Sequence, residues 1–74
     1  MTSDQAIGAI GRLILAVRGP DRPGEVVLTV GGLRESYFAD SPEPIERGHT
    51  VLVIAVGPHR HVTVVPWTEV PMPG

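Results

Sequence analysis

Three histidines are the first residues of this 74-residue chain that could do chemistry. A strand through His59 and His61 would place both imidazoles on one side. His49 lies before the preceding apolar segment and would approach them only by a diagonal across a hairpin. A zinc site needs at least three protein ligands and often four, and the chain has no cysteine. The pattern is more typical of a polar hairpin tip, so we expect no bound metal or other cofactor.

Serines and carboxylates show no catalytic arrangement. The candidate nucleophiles are Ser3, Ser36 and Ser41, but the sequence has no Gly-x-Ser-x-Gly elbow. Ser41 precedes a proline in what reads as a turn, where serine is ordinary. Asp40 and Glu43 could form a carboxylate pair, yet no pocket-forming sequence surrounds them. We therefore predict a protein that is not an enzyme and has no catalytic residue.

Aromatic and arginine side chains are candidates for binding. Tyr37, Phe38 and Trp67 could stack on bases while arginines contact phosphates, as on barrels that bind single-stranded nucleic acid. The net charge is −2, however, and arginines alternate with acids, as in Arg34-Glu35, which is typical of a solvated surface. Adjacent strand residues face opposite ways, so one of Tyr37 and Phe38 should be core and the other surface. Nucleic-acid binding is the alternative hypothesis.

The chain has nine glycines and eight prolines, and many of them separate the short strands that must position these residues. Gly31-Gly32 suits a type I′ hairpin turn, which needs positive φ at both positions. Residues 44–48 read as a single helical turn closed by glycine. We predict flexible tails over residues 1–6 and 68–74, with one domain over residues 7–67. The predicted strands are 7–18, 25–30, 33–39, 50–56 and 61–65.

Five short strands with a turn signal every eight to twelve residues are typical of a small barrel or sandwich. A bent first strand with Gly8 and Gly11, then a hairpin, a break and a second hairpin fit a five-stranded OB-fold Greek-key barrel. An SH3-like barrel is the nearest competitor, and the pattern alone does not separate the two. The predicted fold class is all-β.

The first and fourth strands carry apolar residues on both faces. In the first, Ile14 alternates with Leu13 and Leu15, and in the fourth Val53 alternates with Ile54. A barrel this small has one interior, so the surplus apolar side chains must pack against the loops, the tail around Trp67, or another chain. We hold two alternatives as equal: cover by Trp67 and the N-terminal turn, and an interface with another chain.

Several short motifs stand in order along most of the chain. They are Gly8-x-x-Gly11, Gly24-x-Val26, Tyr37-x-Ala39-x-Ser41, Ile45-x-x-Gly48-x-x-Val51-x-Val53 and Val62-x-Val64-x-Pro66. Each is a generic β signal, and their order and spacing resemble the C-terminal soluble domain of the NfeD-like family. The resemblance covers roughly residues 7–67 and implies an OB-fold barrel.

The resemblance also implies partners. Members of the family act beside membrane proteins of the stomatin, prohibitin and flotillin type, and short members carry transmembrane helices ahead of the barrel. This sequence has no such apolar segment, so we expect either a soluble variant or a fragment, without direct membrane insertion. The expected location is cytoplasmic, or peripheral at the membrane through a partner. The separate serine protease domain of longer members has no counterpart here.

The leading prediction is a non-enzymatic protein-interaction module that docks on a stomatin- or flotillin-type membrane scaffold protein, with self-association open. Aromatic residues and arginine are enriched in binding hot spots. The candidate contact residues on this basis are Arg12, Arg34, Tyr37, Phe38 and Trp67.

Overall fold

A computed structural model describes residues 3–68, which form a short 3-10 turn and five β-strands. The turn spans Ser3–Ala6. The strands are β1 (Ile10–Leu15), β2 (Gly24–Val30), β3 (Leu33–Asp40), β4 (Thr50–Val56) and β5 (His61–Pro66). Met1, Thr2 and residues 69–74, to which the predictions of flexible tails also apply, lie outside the described residues. Over residues 3–68, no helix combines the length and apolarity needed to cross a bilayer.

The five strands form one closed barrel in the order β1-β2-β3-β5-β4. Strand β1 closes it by pairing with both β2 and β4, and every neighbouring pair is antiparallel except β3 with β5. The chain leaves the β1-β2-β3 meander, places β4 beside β1, and returns with β5 beside β3. This Greek-key order confirms the predicted OB-fold barrel.

Two hairpins have turns with positive φ. Gly31 and Gly32 have φ of 60° and 83° and join the paired residues Val30 and Leu33, which confirms the predicted type I′ turn. In the β4–β5 hairpin, His59 and Arg60 both have φ of 59°. Such values are uncommon for residues other than glycine, so this second turn carries backbone strain that the first avoids.

Strand β1 is shorter than predicted. Residues 7–18 were expected to be extended, but the strand covers only Ile10–Leu15 and its pairing with β2 is irregular between Leu13 and Leu15. Gly8 precedes it with φ of 89°. Beyond it, Val17 exchanges two backbone hydrogen bonds of 2.9 Å with Ile45 as an isolated bridge. The chain therefore bends at both ends of β1 to follow the barrel wall.

The prediction of a helical turn over residues 44–48 is wrong. Ile45 pairs with Val17 in an extended conformation and is buried in the core. Only the following residues turn, with Gly48 at φ of 92° and its N–H donating to the Leu13 carbonyl at 2.9 Å. Burial of the Ile45 side chain in the barrel interior stabilises the chain more than one isolated helical turn over residues 44–48 would.

The core lies inside the barrel and is built from small aliphatic side chains. Strands alternate inward and outward residues, so each contributes one or two of its members. Ala6 of the 3-10 turn is also buried, and the packed unit thus begins before residue 7, where the sequence placed its boundary. The buried apolar residues are Ala6, Leu13, Val17, Val26, Leu28, Ala39, Ile45, Val51, Val53, Val62 and Val64.

Gly11→Ala should destabilise the barrel strongly. A Cβ at Gly11 would clash with the Val27 carbonyl oxygen and lie 2.6 Å from Leu28 Cδ2. Overpacking of this kind costs about 1–3 kcal/mol. Gly57→Ala is the matched control, because its new Cβ would meet nothing closer than 3.9 Å. We expect urea denaturation to show a lower free energy of unfolding for Gly11→Ala alone. Equal stability of the two variants would contradict this close packing.

His59→Val should also destabilise the protein, through the backbone alone. His59 is exposed and its φ of 59° is a conformation that β-branched residues strongly disfavour. The expected loss is about 1–2 kcal/mol. His59→Asn should leave the unfolding free energy nearly unchanged, because asparagine tolerates this region. If both variants unfold at the same urea concentration, the turn is not held in this conformation.

Candidate interaction surface

The outer side of β1, β4 and β5 is largely apolar. Pairing places Ile10 opposite Leu52, and Leu52 opposite Val65, in a row across the three strands. Leu52 lies between the buried Val51 and Val53 and therefore points away from the core, and its paired neighbours Ile10 and Val65 lie on the same side of the sheet. Ile54 lies two residues further along β4. Ile10 is 51% exposed and Ile54 is 49% exposed, and we refer to Ile10, Leu52, Ile54 and Val65 as the apolar face.

Arg12 and Trp67 lie on either side of Thr50 at one border of the apolar face. Arg12 is paired with Thr50, whose backbone carbonyl oxygen accepts a hydrogen bond of 2.9 Å from the backbone N–H of Trp67. Trp67 remains 39% exposed. Within β1, β4 and β5, Arg12 is the one arginine or carboxylate residue, and it forms no salt bridge inside residues 3–68. One cation and one indole thus border the four aliphatic side chains of the apolar face.

The apolar surplus seen in the sequence is therefore not hidden by the described part of the chain. Cover by Trp67 and the N-terminal turn was one of two alternatives, yet Ile10, Ile14 and Ile54 all stay exposed. Exposed apolar residues are ordinary when scattered, whereas a contiguous row is typical of an interaction site. Over residues 3–68, Trp67 and the 3-10 turn therefore leave these side chains uncovered.

The other predicted contact residues lie elsewhere. Arg34 is exposed on β3 opposite Thr29. Tyr37 packs against the core, while its neighbour Phe38 is 45% exposed, which confirms that the two face opposite ways. The five candidates consequently do not form one site: Arg12 and Trp67 share one surface, and Arg34 and Phe38 share the outer side of β3.

A second group of polar side chains surrounds the β4–β5 hairpin. The Arg60 guanidinium lies 5.1 Å from the centre of the Tyr37 ring and donates through Nη1 to Glu35 Oε1 at 3.0 Å. His61 meets Phe38 edge to face with ring centres 5.1 Å apart. Sequence reasoning missed Glu35 and Arg60, because they are 25 residues apart and meet only when the hairpin folds against β3.

The histidines do not converge on one site. His49 precedes β4 while His59 follows it, so the seven residues of the strand separate them by roughly 20 Å at about 3.3 Å per residue. The diagonal approach considered from the sequence is therefore wrong. His61 Nδ1 lies 3.5 Å from Asp40 Oδ2. Residues 3–68 contain no cluster of three histidine, aspartate or glutamate side chains that could hold a metal ion.

Ser41 has a structural role. It is 2% exposed, and its Oγ accepts a hydrogen bond of 3.2 Å from the Glu43 N–H. This is the local turn geometry expected of a serine before a proline. No buried polar side-chain atom in the described residues lacks a hydrogen-bond partner. The loop around Ser41 thus contains no unpaired buried side-chain group that would indicate a ligand.

Comparison with known proteins places the chain in a family. The protein-family model of the NfeD C-terminal domain matches residues 10–65 of this chain. Among solved structures, the soluble domain of the NfeD protein YuaF from Bacillus subtilis matches with a TM-score of 0.71 and 34% sequence identity. The match covers 85% of this chain and 75% of that one. None of the curated proteins matches the chain.

Proposed function

This chain belongs to the NfeD family, whose C-terminal domain it carries over residues 10–65, and on that premise we propose that it is a protein-interaction module. Its partner is a membrane scaffold protein of the stomatin or flotillin type. The family of this domain is not a known enzyme family, and the module acts by docking, without chemistry of its own. Its place is the cytoplasm, peripheral to the membrane through that partner.

The apolar face is the observation that carries this proposal. Ile10 and Ile54 are each about half exposed, beside the aligned Leu52 and Val65. Complete burial of one such side chain is worth about 1.5–3 kcal/mol. Because the barrel interior is already filled by other residues, a partner surface is what would remove this face from water.

The composition of the face favours a protein partner over a nucleic acid. Binding to phosphates requires several basic side chains along one groove, whereas Arg12 is the one arginine within the three strands. Arg12 and Trp67 are residue types that recur at the centres of protein interfaces. An apolar ridge on the partner, with an acidic side chain facing Arg12, would complement the face.

Ile54→Glu should weaken binding to a purified stomatin-type protein by at least about tenfold, the effect of losing one hot-spot side chain. Trp67→Ala should act in the same direction. Leu33→Glu is the matched control, since Leu33 is 65% exposed at the tip of the β2–β3 hairpin, outside the apolar face. Binding is measured by titration calorimetry with purified proteins, and circular dichroism verifies that each variant folds.

Two results would refute the proposal. One is equal loss of binding in Ile54→Glu and Leu33→Glu, which would show that the apolar face is not the contact. The other is a salt-dependent gel shift with a single-stranded oligonucleotide that Arg34→Ala abolishes, because phosphate contacts make affinity fall with salt. That second result would establish the nucleic-acid alternative.

A further inference from the structure

Strand β3 extends beyond its partner β5 and therefore has a free edge. It runs from Leu33 to Asp40 and pairs with β2 along almost its full length. Its pairing with β5 covers only Phe38, Ala39 and Asp40. The first five residues, 33–37, are left with β2 on one side and no strand of the described chain on the other. We call this segment the β3 edge.

The backbone groups that the β3 edge exposes follow from one hydrogen bond. The Phe38 N–H donates to the Arg60 carbonyl at 2.8 Å, so Phe38 directs its amide toward the β5 side. Backbone groups alternate in direction along a strand, and Ser36 and Arg34 therefore point the same way. Both residues are exposed. Their N–H and C=O groups form two donors and two acceptors without a strand partner.

We propose that the β3 edge binds an extended peptide of another protein by antiparallel strand addition. An added strand satisfies the backbone groups of Arg34 and Ser36, and antiparallel pairing is the more stable arrangement. Side chains select the peptide. Arg34 faces outward and favours an acidic residue opposite it, while Glu35 lies on the other side of the strand and favours a basic residue.

A second copy of this chain is a poor occupant of the same edge. Twofold antiparallel pairing centred on the edge places Glu35 opposite Glu35 of the other copy, or Arg34 opposite Arg34. Like charges directly opposite each other are destabilising, and charged residues are a common protection of sheet edges against self-pairing. A pairing centred on Ser36 would extend to Phe38, whose N–H is already bonded to Arg60.

On the inward-facing side of the β3 edge, Arg60 contacts Glu35 and Tyr37, and a bound peptide can replace this contact. Arg60 donates to Glu35 and lies over Tyr37, and its salt-bridging side chain is 50% exposed. Exposed ion pairs contribute little to stability. A basic residue of the peptide takes the place of Arg60 on Glu35, so binding needs no rearrangement of the barrel. This site is distinct from the apolar face and does not depend on the proposed function.

The test uses the hexapeptide acetyl-Val-Thr-Lys-Glu-Val-Thr-amide with the ¹⁵N-labelled protein. In antiparallel pairing, the first threonine of the peptide lies opposite Ser36, the lysine opposite Glu35 and the glutamate opposite Arg34. We expect saturable shifts of the backbone amides of residues 33–37 in NMR titrations. Exchanging lysine and glutamate in the peptide should weaken binding about fivefold, because both cross-strand pairs then become like-charged.

Backbone methylation of the peptide provides the decisive control. N-methylation of the glutamate removes an N–H that faces the edge and should weaken binding at least about tenfold. N-methylation of the lysine alters an N–H that points away and should change binding by less than about threefold. Equal effects of the two methylations, shifts confined to the apolar face, or no saturable shift at residues 33–37 would each overturn the proposal.

Discussion

Closure of the barrel by β1 is the constraint on which the rest of the structure depends. This strand pairs with β2 on one edge and β4 on the other, and it approaches β2 so closely that residue 11 has no space for a Cβ. Gly24 on β2 is under the same constraint, because a Cβ there would clash with the Leu15 carbonyl oxygen. Without these two glycines the meander and the second hairpin would remain an open sheet with exposed edges.

A closed barrel of five strands has a small interior, and this limit explains the surface. Eleven aliphatic residues fill the core. Further apolar side chains on β1 and β4 have no place inside and lie on the outer wall, where pairing aligns Ile10 with Leu52 and Leu52 with Val65. The apolar face is thus a consequence of closure combined with strands that are apolar on both sides. Its alignment across three strands makes it a continuous surface.

Closure also leaves one strand end without a partner. Because β5 pairs in parallel with only the last three residues of β3, the β2–β3 hairpin projects past the barrel. The β4–β5 turn compensates in part by directing Arg60 onto Tyr37 and Glu35. The positive φ of His59 and Arg60 belongs to the turn that makes this contact. The polar cluster and the β3 edge are therefore two results of the same difference in strand length.

Local signals in the sequence were sufficient for β2 to β5 and for the all-β fold class, but not for the bounds of β1. Apolar alternation located β2 to β5 within a residue at each end, and Gly31-Gly32 determined a hairpin because few other residues accept positive φ twice. Local signals failed where distant segments compete for a residue. Ile45 pairs with Val17 rather than turning as a helix, and Ala6 enters the core from what reads as a polar tail.

For the candidate site too, some features were determined by the sequence and others only by the tertiary structure. The sequence by itself determined that β1 and β4 carry more apolar side chains than one interior accepts, and it singled out Arg12 and Trp67 by residue type. Only the tertiary structure decided that these two flank one surface, that Arg34 and Phe38 lie on another, and that Arg60 reaches Glu35. Strand register across the barrel sets these distances, and register depends on pairing between segments far apart in the chain.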